Sequence, residues 1–549
     1  MKHTKLVLAM AATLTATASF SALAMDLYVD SKTKQVFTEP GKGRVLLNDS
    51  NNVKVGNTPF VPTPVAAPAA DIEAIKKDLE LKTNEIKALS EKAEEAADPK
   101  FAHVKLDDGI HFATKDGNFT AGINGRLQVD SQTNVNQALT NGGYAGSTSS
   151  TQVPYTLNDG MALRRGRLGV EGTFFKNTFY KFEYDFTRAG TSSASTGVTD
   201  AFIGYNFTKE SLVKVGAFKE PFSLEEATSN RYLTFIERNM AVNAFVDNLN
   251  TYKLGIGANY ATDRWMAATS LQTESIGASK NTTSVLSTVG DDSNRKLGTG
   301  NTSWEANARV AGTPWFESKT KFLHVGAGGT YMQLNNNYNA DGSFSNGGIQ
   351  FANTIGGNVD RTNMLDTGIM GSGKKGAIGS YAVDHVTRFG AETAVVYGPF
   401  SAQTEYLRTD LSGQGFSGNA LDGYYGYATY FLTGESRNYK AKTASWDRIK
   451  PNRNFDLKGG MGAWELATGY DYMNLNSGPV QGGKASVAKF GVNWYLNSHT
   501  RFMANYVKAL DINSASANAT GVSASNPTLP QRYNNADFDI IETRVQLDW

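Results

Sequence analysis

From Asn118 to the C-terminus the chain keeps a two-residue rhythm of apolar and polar positions. Tyr180, Phe182, Tyr184 and Phe186 alternate with Lys181, Glu183 and Asp185. Ala488, Phe490, Val492, Trp494 and Leu496 oppose Lys489 and Asn493. The final residues place Ile541, Thr543, Val545, Leu547 and Trp549 against Glu542, Arg544, Gln546 and Asp548. Successive side chains of a strand point to opposite faces, so each stretch has one apolar and one polar side, a period no helix shares. Such strands are predicted near 118–130, 162–174, 178–188, 198–207, 211–218, 252–260, 264–273, 303–312, 320–333, 384–397, 400–410, 423–432, 462–472, 487–496, 500–510 and 538–549.

Sixteen strands with apolar faces toward lipid and polar faces toward water describe an all-β fold, a transmembrane antiparallel β-barrel enclosing a pore. Short turns such as Lys176-Asn177, Thr262-Asp263 and Gly398-Pro399 belong on the periplasmic side. The Gly/Ser/Asn-rich segments 133–158, 274–302, 335–380 and 511–535 belong outside the cell. Up-and-down alternation closes only if 433–461 is a long periplasmic connection or hides two further strands, so eighteen strands stay open.

The rhythm is different before the barrel, which is expected to occupy 101–549. Lys2 and Lys5, the apolar run Leu6 to Ala18 and Ala22-Leu23-Ala24 predict a cleaved secretory signal over 1–24, too short to span a bilayer as a helix. Residues 25–70 read as a periplasmic segment with a stiff Pro/Ala linker after Thr58. Ile72, Ile75, Leu79, Ile86, Leu89, Ala93 and Ala96 then follow a heptad broken by Lys82, a short α-helical coiled coil over 71–97 or a solvated amphipathic helix. Isoleucine at both core positions leans toward more than two strands and so toward a trimer.

Composition sharpens this picture. Fifty-five glycines and 11% aromatic residues suit tight turns and interfacial aromatic girdles. Cysteine is absent, which removes thiol catalysis and cysteine zinc sites. Without Lys2 and Lys5 the balance of 53 basic and 52 acidic residues tips one to the acidic side and offers nucleic acid nothing. Six dispersed histidines lack metal-ligand spacing, and no serine sits in a nucleophile elbow. No cofactor or metal is expected, and no enzyme.

The polar parity lists the expected pore wall, including Arg126, Arg165, Arg167, Lys181, Asp200, Lys214 and Lys253. Arg164, Arg165 and Arg167 crowd three guanidiniums into four positions. These repel one another unless anions or carboxylates sit among them, and planar donors suit oxyanions. An inward loop is expected to narrow the channel, with Lys219 to Asn250 the candidate because it carries Glu220, Arg231, Glu237 and Arg238. An external loop packed on its neighbours is the other reading of that segment.

Several motifs resemble one family. Leu163 to Phe175 (LRRGRLGVEGTFF), Tyr180 to Phe186, Val215 to Ser229 (VGAFKEPFSLEEATS), Tyr430 to Glu435, Gly462 to Leu466, Asn493 to Asn497 and Tyr28 to Phe37 are similar to the phosphate-selective porin O and P family of Gram-negative outer membranes. The resemblance implies a sixteen-stranded trimeric porin with inward loops and a constriction of arginines and lysines passing phosphate-like anions. It places the paired arginines of that constriction on Arg164 and Arg165, an acidic neighbour on Asp200 and a first-strand arginine on Arg126. Parity sends Arg164 to the opposite face from Arg165, which only a bulge or a strand end would reconcile. Glu226 stands where anion-selective members carry lysine, a departure that weakens phosphate preference. The expected function is diffusion of small hydrophilic anions across the outer membrane by a homotrimer in contact with lipid. A general or dicarboxylate porin is the alternative within the class, a barrel tethering the envelope the alternative outside it, and an outer-membrane hydrolase a third.

Overall fold

The computed structural model describes residues 28–30, 36–37, 44–46, 77–78, 80–88, 103–105, 109–138, 157–187, 197–247, 252–275, 303–514 and 536–549. The expected signal, the Pro/Ala linker, both ends of the expected coiled coil and most of three expected external loops lie outside these residues. Two compact units are present, Met1–Asp98 and Pro99–Trp549. In the first, Tyr28–Asp30 pairs antiparallel with both Val36–Phe37 and Arg44–Leu46. This small sheet was not foreseen, because strands of two or three residues are too short to show a period. Residues 80–88 are helical and leave Leu81 and Ile86 exposed.

The second unit is a closed antiparallel barrel. Its long strands are β1 (Phe119–Ala138), β2 (Gly160–Phe174), β3 (Thr178–Asp185), β4 (Val198–Asn206), β5 (Ser211–Lys219), β6 (Tyr252–Ala261), β7 (Trp265–Ser275), β8 (Trp304–Ser318), β9 (Lys321–Gln333), β10 (Tyr381–Tyr397), β11 (Phe400–Gln414), β12 (Phe416–Phe431), β13 (Ala463–Ser477), β14 (Val480–Tyr495), β15 (Thr500–Ser514) and β16 (Asp537–Asp548). Pairing of β16 with β1, Val545 opposite Val129, closes the ring. Trp549 finishes the seam, since its indole occupies the space that a Cβ on Gly125 would need. Alternation holds on the outside. Leu254, Ile256, Phe389, Phe490, Ile541 and Val545 are exposed where lipid is expected. Tyr397, Phe400 and Tyr430 mark one rim, and Tyr406, Tyr424 and Tyr470 the other. Phe400 and Tyr406 stand six residues apart on one strand, about 20 Å of chain, in keeping with an apolar band between two girdles.

The stretch 433–461 contributes no spanning strand. Tyr439–Lys440 pairs only with Ser445–Trp446, in a hairpin separate from the barrel sheet, so the eighteen-strand option falls away. The hairpin turns inward: Trp446 packs with Leu224, Phe322, Ala394 and Val396, and Arg309 donates to the carbonyls of Thr443 and Ala444 at 3.2 and 2.8 Å.

Residues 220–247 and the stretch 349–370 also lie inside. The former carries two short helices, α1 (Leu224–Ala227), capped by the Ser223 hydroxyl, and α2 (Met240–Phe245). Phe235, Val242 and Phe245 join Phe351, Leu365 and Met370 in one buried apolar cluster with Val386, Leu407, Leu421, Met473, Val487, Val507 and Ile540 from the strands. A wholly polar interior was expected. On β10 to β16 the inward parity instead turns apolar toward the extracellular end, because these positions meet folded-in loops and removal from water favours apolar surface there.

Candidate functional site: an arginine-lined constriction

The constriction forms where residues 230–238 cross the barrel. Inward side chains hold this segment through its backbone: Arg501 donates to Leu233 O at 2.8 Å, Asn493 to Thr234 O at 2.9 Å and Arg544 to Ile236 O at 2.6 Å. The inward course expected for 219–250 is thus seen over its described part.

Arg164 and Arg165 both enter the lumen. Gln128 pairs with Arg165 and the next residue, Val129, with Leu163, so Arg164 is the extra residue of a β-bulge. That bulge resolves the conflict between parity and the paired arginines. Arg164 grips Glu237 with two bonds, Nε to Oε1 at 2.7 Å and Nη2 to Oε2 at 3.1 Å. Arg544, opposite Asp130 on β1, binds that carboxylate at 2.6 and 2.7 Å and reaches Glu237 Oε1 at 3.0 Å. Burial works to raise the Glu237 carboxyl, but Arg164, Arg165 and Arg544 outweigh it and hold it well below the usual carboxylate range. Three guanidiniums therefore meet two carboxylates, Glu237 and Asp130. Arg165 is the one in surplus: its bond is to the neutral Gln128 Oε1, at 3.0 Å, and no carboxylate pairs with it among the described residues.

The other predicted residues fall into distinct groups. Arg126 and Arg167 sit opposite each other across β1 and β2 and share Glu183. Arg167 also binds Asp185 at 2.8 Å and the Tyr252 hydroxyl at 2.9 Å, and Arg126 bonds Asn230 of the crossing loop. The carboxylates needed to hold this arginine cluster together are thus Glu183, Asp185 and Glu237. Lys181 and Asp200 pair at 2.9 Å, on the periplasmic side of the cluster and part exposed. Lys214 has no ion pair among the described residues and lies against the rings of Phe202 and Phe218. Lys253 stands apart, fully buried between Glu220 at 2.9 Å and Glu305 at 2.6 Å, with Arg388 on the same Glu220.

Arg544 gave its signal in the sequence, the polar parity of the last strand, which already puts it on the expected pore wall. Arg437, stacked on Trp446 at 4.0 Å, and Arg448, clasped to Asp548, lie in the hairpin segment and had none. Glu226, the acidic departure, is neutralised by Lys219 at 2.6 Å and Arg238 at 2.8 Å. Burial still lifts its carboxyl above the ordinary value against the pull of those two cations.

This geometry can strip part of the hydration shell from a passing anion and replace it with guanidinium donors, at a charge surplus small enough to let the anion leave. The family model described as phosphate-selective porin O and P matches residues 124–549. Porin O of Pseudomonas aeruginosa is 29% identical over 417 residues, covering 74% of this chain and 86% of that protein. An uncharacterized protein of Caulobacter vibrioides is 26% identical over 458 residues, covering 82% and 79%. Among solved structures, an anion-selective porin from Comamonas acidovorans shares 11% identity with a TM-score of 0.42, covering 78% of this chain and all of that one. In vitro folded OmpT, an outer-membrane protein of Vibrio cholerae, shares 12% at a TM-score of 0.43, covering 79% and 98%. With the family match running from residue 124, inside β1, to Trp549, the chain belongs to the phosphate-selective porin O and P family and is a Gram-negative outer-membrane porin.

Proposed function

We propose that this porin passes small oxyanions, phosphate among them, by diffusion past Arg164 and Arg165. The observation that carries the reading is the charge surplus at Arg165, a luminal guanidinium bonded only to a neutral amide while its neighbours are neutralised. An anion arriving at Arg165 gains charge-assisted bonds without having to break an existing ion pair, which favours entry over a cation of equal size. Porin O of Pseudomonas aeruginosa is by name a porin too. The working unit is a homotrimer, and residues 71–97 form a periplasmic coiled coil that helps hold it together. The exposed Leu81 and Ile86 on that helix support a partner helix there.

Planar-bilayer recordings across a salt gradient test the selectivity. Arg165→Ala is expected to move the reversal potential several-fold in permeability ratio toward non-selectivity, with single-channel conductance retained. An unchanged reversal potential rejects the role. Light scattering on the detergent-solubilised full-length protein, with and without 71–97, tests the trimer and the part played by the helix.

A further inference from the structure

On the periplasmic side of the constriction the wall of β3 to β6 combines bare backbone with half-buried rings. Its inward positions form two rows across neighbouring strands. One runs Lys181, Phe202, Gly216, Gly255 and the other Phe179, Gly204, Lys214, Gly257. Four glycines thus leave a stretch of wall without side chains, and aromatic rings lie on it. A Cβ on Gly204 would come within 2.2 Å of the Phe179 ring, and one on Gly257 within 2.9 Å of Phe218. The rings contact edge to face, Phe179 with Phe202 at 6.1 Å and Phe202 with Phe218 at 6.4 Å.

Some inward aromatics, such as Phe431 and Tyr425, are fully buried against other parts of the chain. Phe179 and Phe202 remain half-buried. Apolar side chains facing a water-filled channel gain nothing from that solvent, so their presence calls for something else to contact. Lys214 supplies the second half of the argument. Its ammonium stands 4.1 and 5.2 Å from the Phe218 and Phe202 ring centres and makes no ion pair among the described residues, while Lys181 and Asp200 beside it satisfy each other. A cation without an ion pair among the described residues, set over the half-covered Phe202 ring and the buried Phe218 ring, is complementary to an anion that carries an apolar body.

Building on the channel reading above, we infer that Lys214, Phe179 and Phe202 form a subsite for organic anions, monoesters of phosphate or carboxylates bearing an aromatic or alkyl group. The charged end meets Lys214 and the apolar end lies on the rings over the glycine floor. Inorganic phosphate uses only the lysine. Selectivity at the constriction is for charge, and at this subsite for charge with an apolar appendage.

The test compares phenyl phosphate with methyl phosphate as blockers of the chloride current through the purified full-length porin in planar bilayers. Phenyl phosphate is expected to block at about two- to tenfold lower concentration, the range that an aromatic contact contributes. Phe202→Leu, which keeps apolar volume but removes the aromatic face, is expected to bring the two blockers together, and Phe179→Leu to do so independently. Lys214→Gln is expected to weaken both. Equal block in the unaltered protein, or a phenyl advantage that survives both leucine variants, overturns the subsite and leaves the channel reading standing. Absence of any anion-selective current overturns both.

Discussion

The two sides of the lumen use the same residue types for opposite purposes. On β8 to β16, Arg309, Arg388, Arg501 and Arg544 are at most 2% exposed, and each donates to a backbone carbonyl of an inserted segment: Thr443 and Ala444, Phe245, Leu233 and Ile236 respectively. On β2 to β5, Arg164, Lys181, Asp200 and Lys214 stay half-buried, and the arginines of β2 donate to side chains only. A covered carbonyl needs a donor for as long as the protein is folded. A side-chain partner, by contrast, can exchange with a solute. The covered wall therefore spends its guanidiniums on holding loops, and the open wall keeps some capacity for what passes through.

The sharpest way to break this comparison is to remove a loop-holding arginine. Arg544→Met strands the Asp130 carboxylate in a dry site and takes the donor from Ile236 O, so a loss of about 3–5 kcal/mol is expected. It would be measured as a large fall in the temperature at which the folded barrel loses its compact electrophoretic mobility. If Arg544 were instead a solute contact like Arg165, selectivity would change while that temperature held.

The hairpin 439–446 gives the next test. Trp446 is 2% exposed, donates its indole N–H to Gln403 Oε1 at 2.5 Å and carries Arg437 on its face. Trp446→Ala is expected to cost about 3 kcal/mol, at the low end for a buried tryptophan because the hairpin, left with its Arg309 bonds as anchor, can settle into part of the space of the lost ring. Conductance should rise as the segment withdraws, with the reversal potential unchanged, since none of the hairpin's cations borders the Arg164–Glu237 contact. A shifted reversal potential would place the hairpin in the anion path.

How far the sequence foresaw these walls depends on what enforces each feature. Strand positions were legible because lipid on one side and interior on the other impose the period of two, and β9, β10 and β11 start within three residues of their expected places. The covered wall was not legible. Leu407, Leu421 and Met473 point inward only because loops far away in the chain fold against them, and nothing in their own strands signals that cover. Arg164 shows a different limit: a bulge inserts one residue into a ladder without changing composition, so strict alternation sends it to the wrong face, and only its place beside Arg165 in the family motif points it inward. Trp446 and Arg437 lie in a connection whose packing has no repeat at all.

Lys181 offers the smallest and most discriminating change, because it is an ion pair on the open wall. Its bond to Asp200 joins side chains that are 24% and 15% exposed, close enough to water that the pair contributes about 1 kcal/mol or less. Lys181→Gln should therefore leave thermal stability almost untouched. Its electrostatic effect should still be visible, since Asp200 is left unneutralised beside Lys214 and lowers the local preference for anions. A small shift of reversal potential toward non-selectivity at low salt, fading as the Debye length falls from about 30 Å at 0.01 M to about 3 Å at 1 M, is the expected result. A shift that persists at 1 M would mean that Lys181 contacts the solute directly, and a large thermal loss would mean that the open wall is as structural as the covered one.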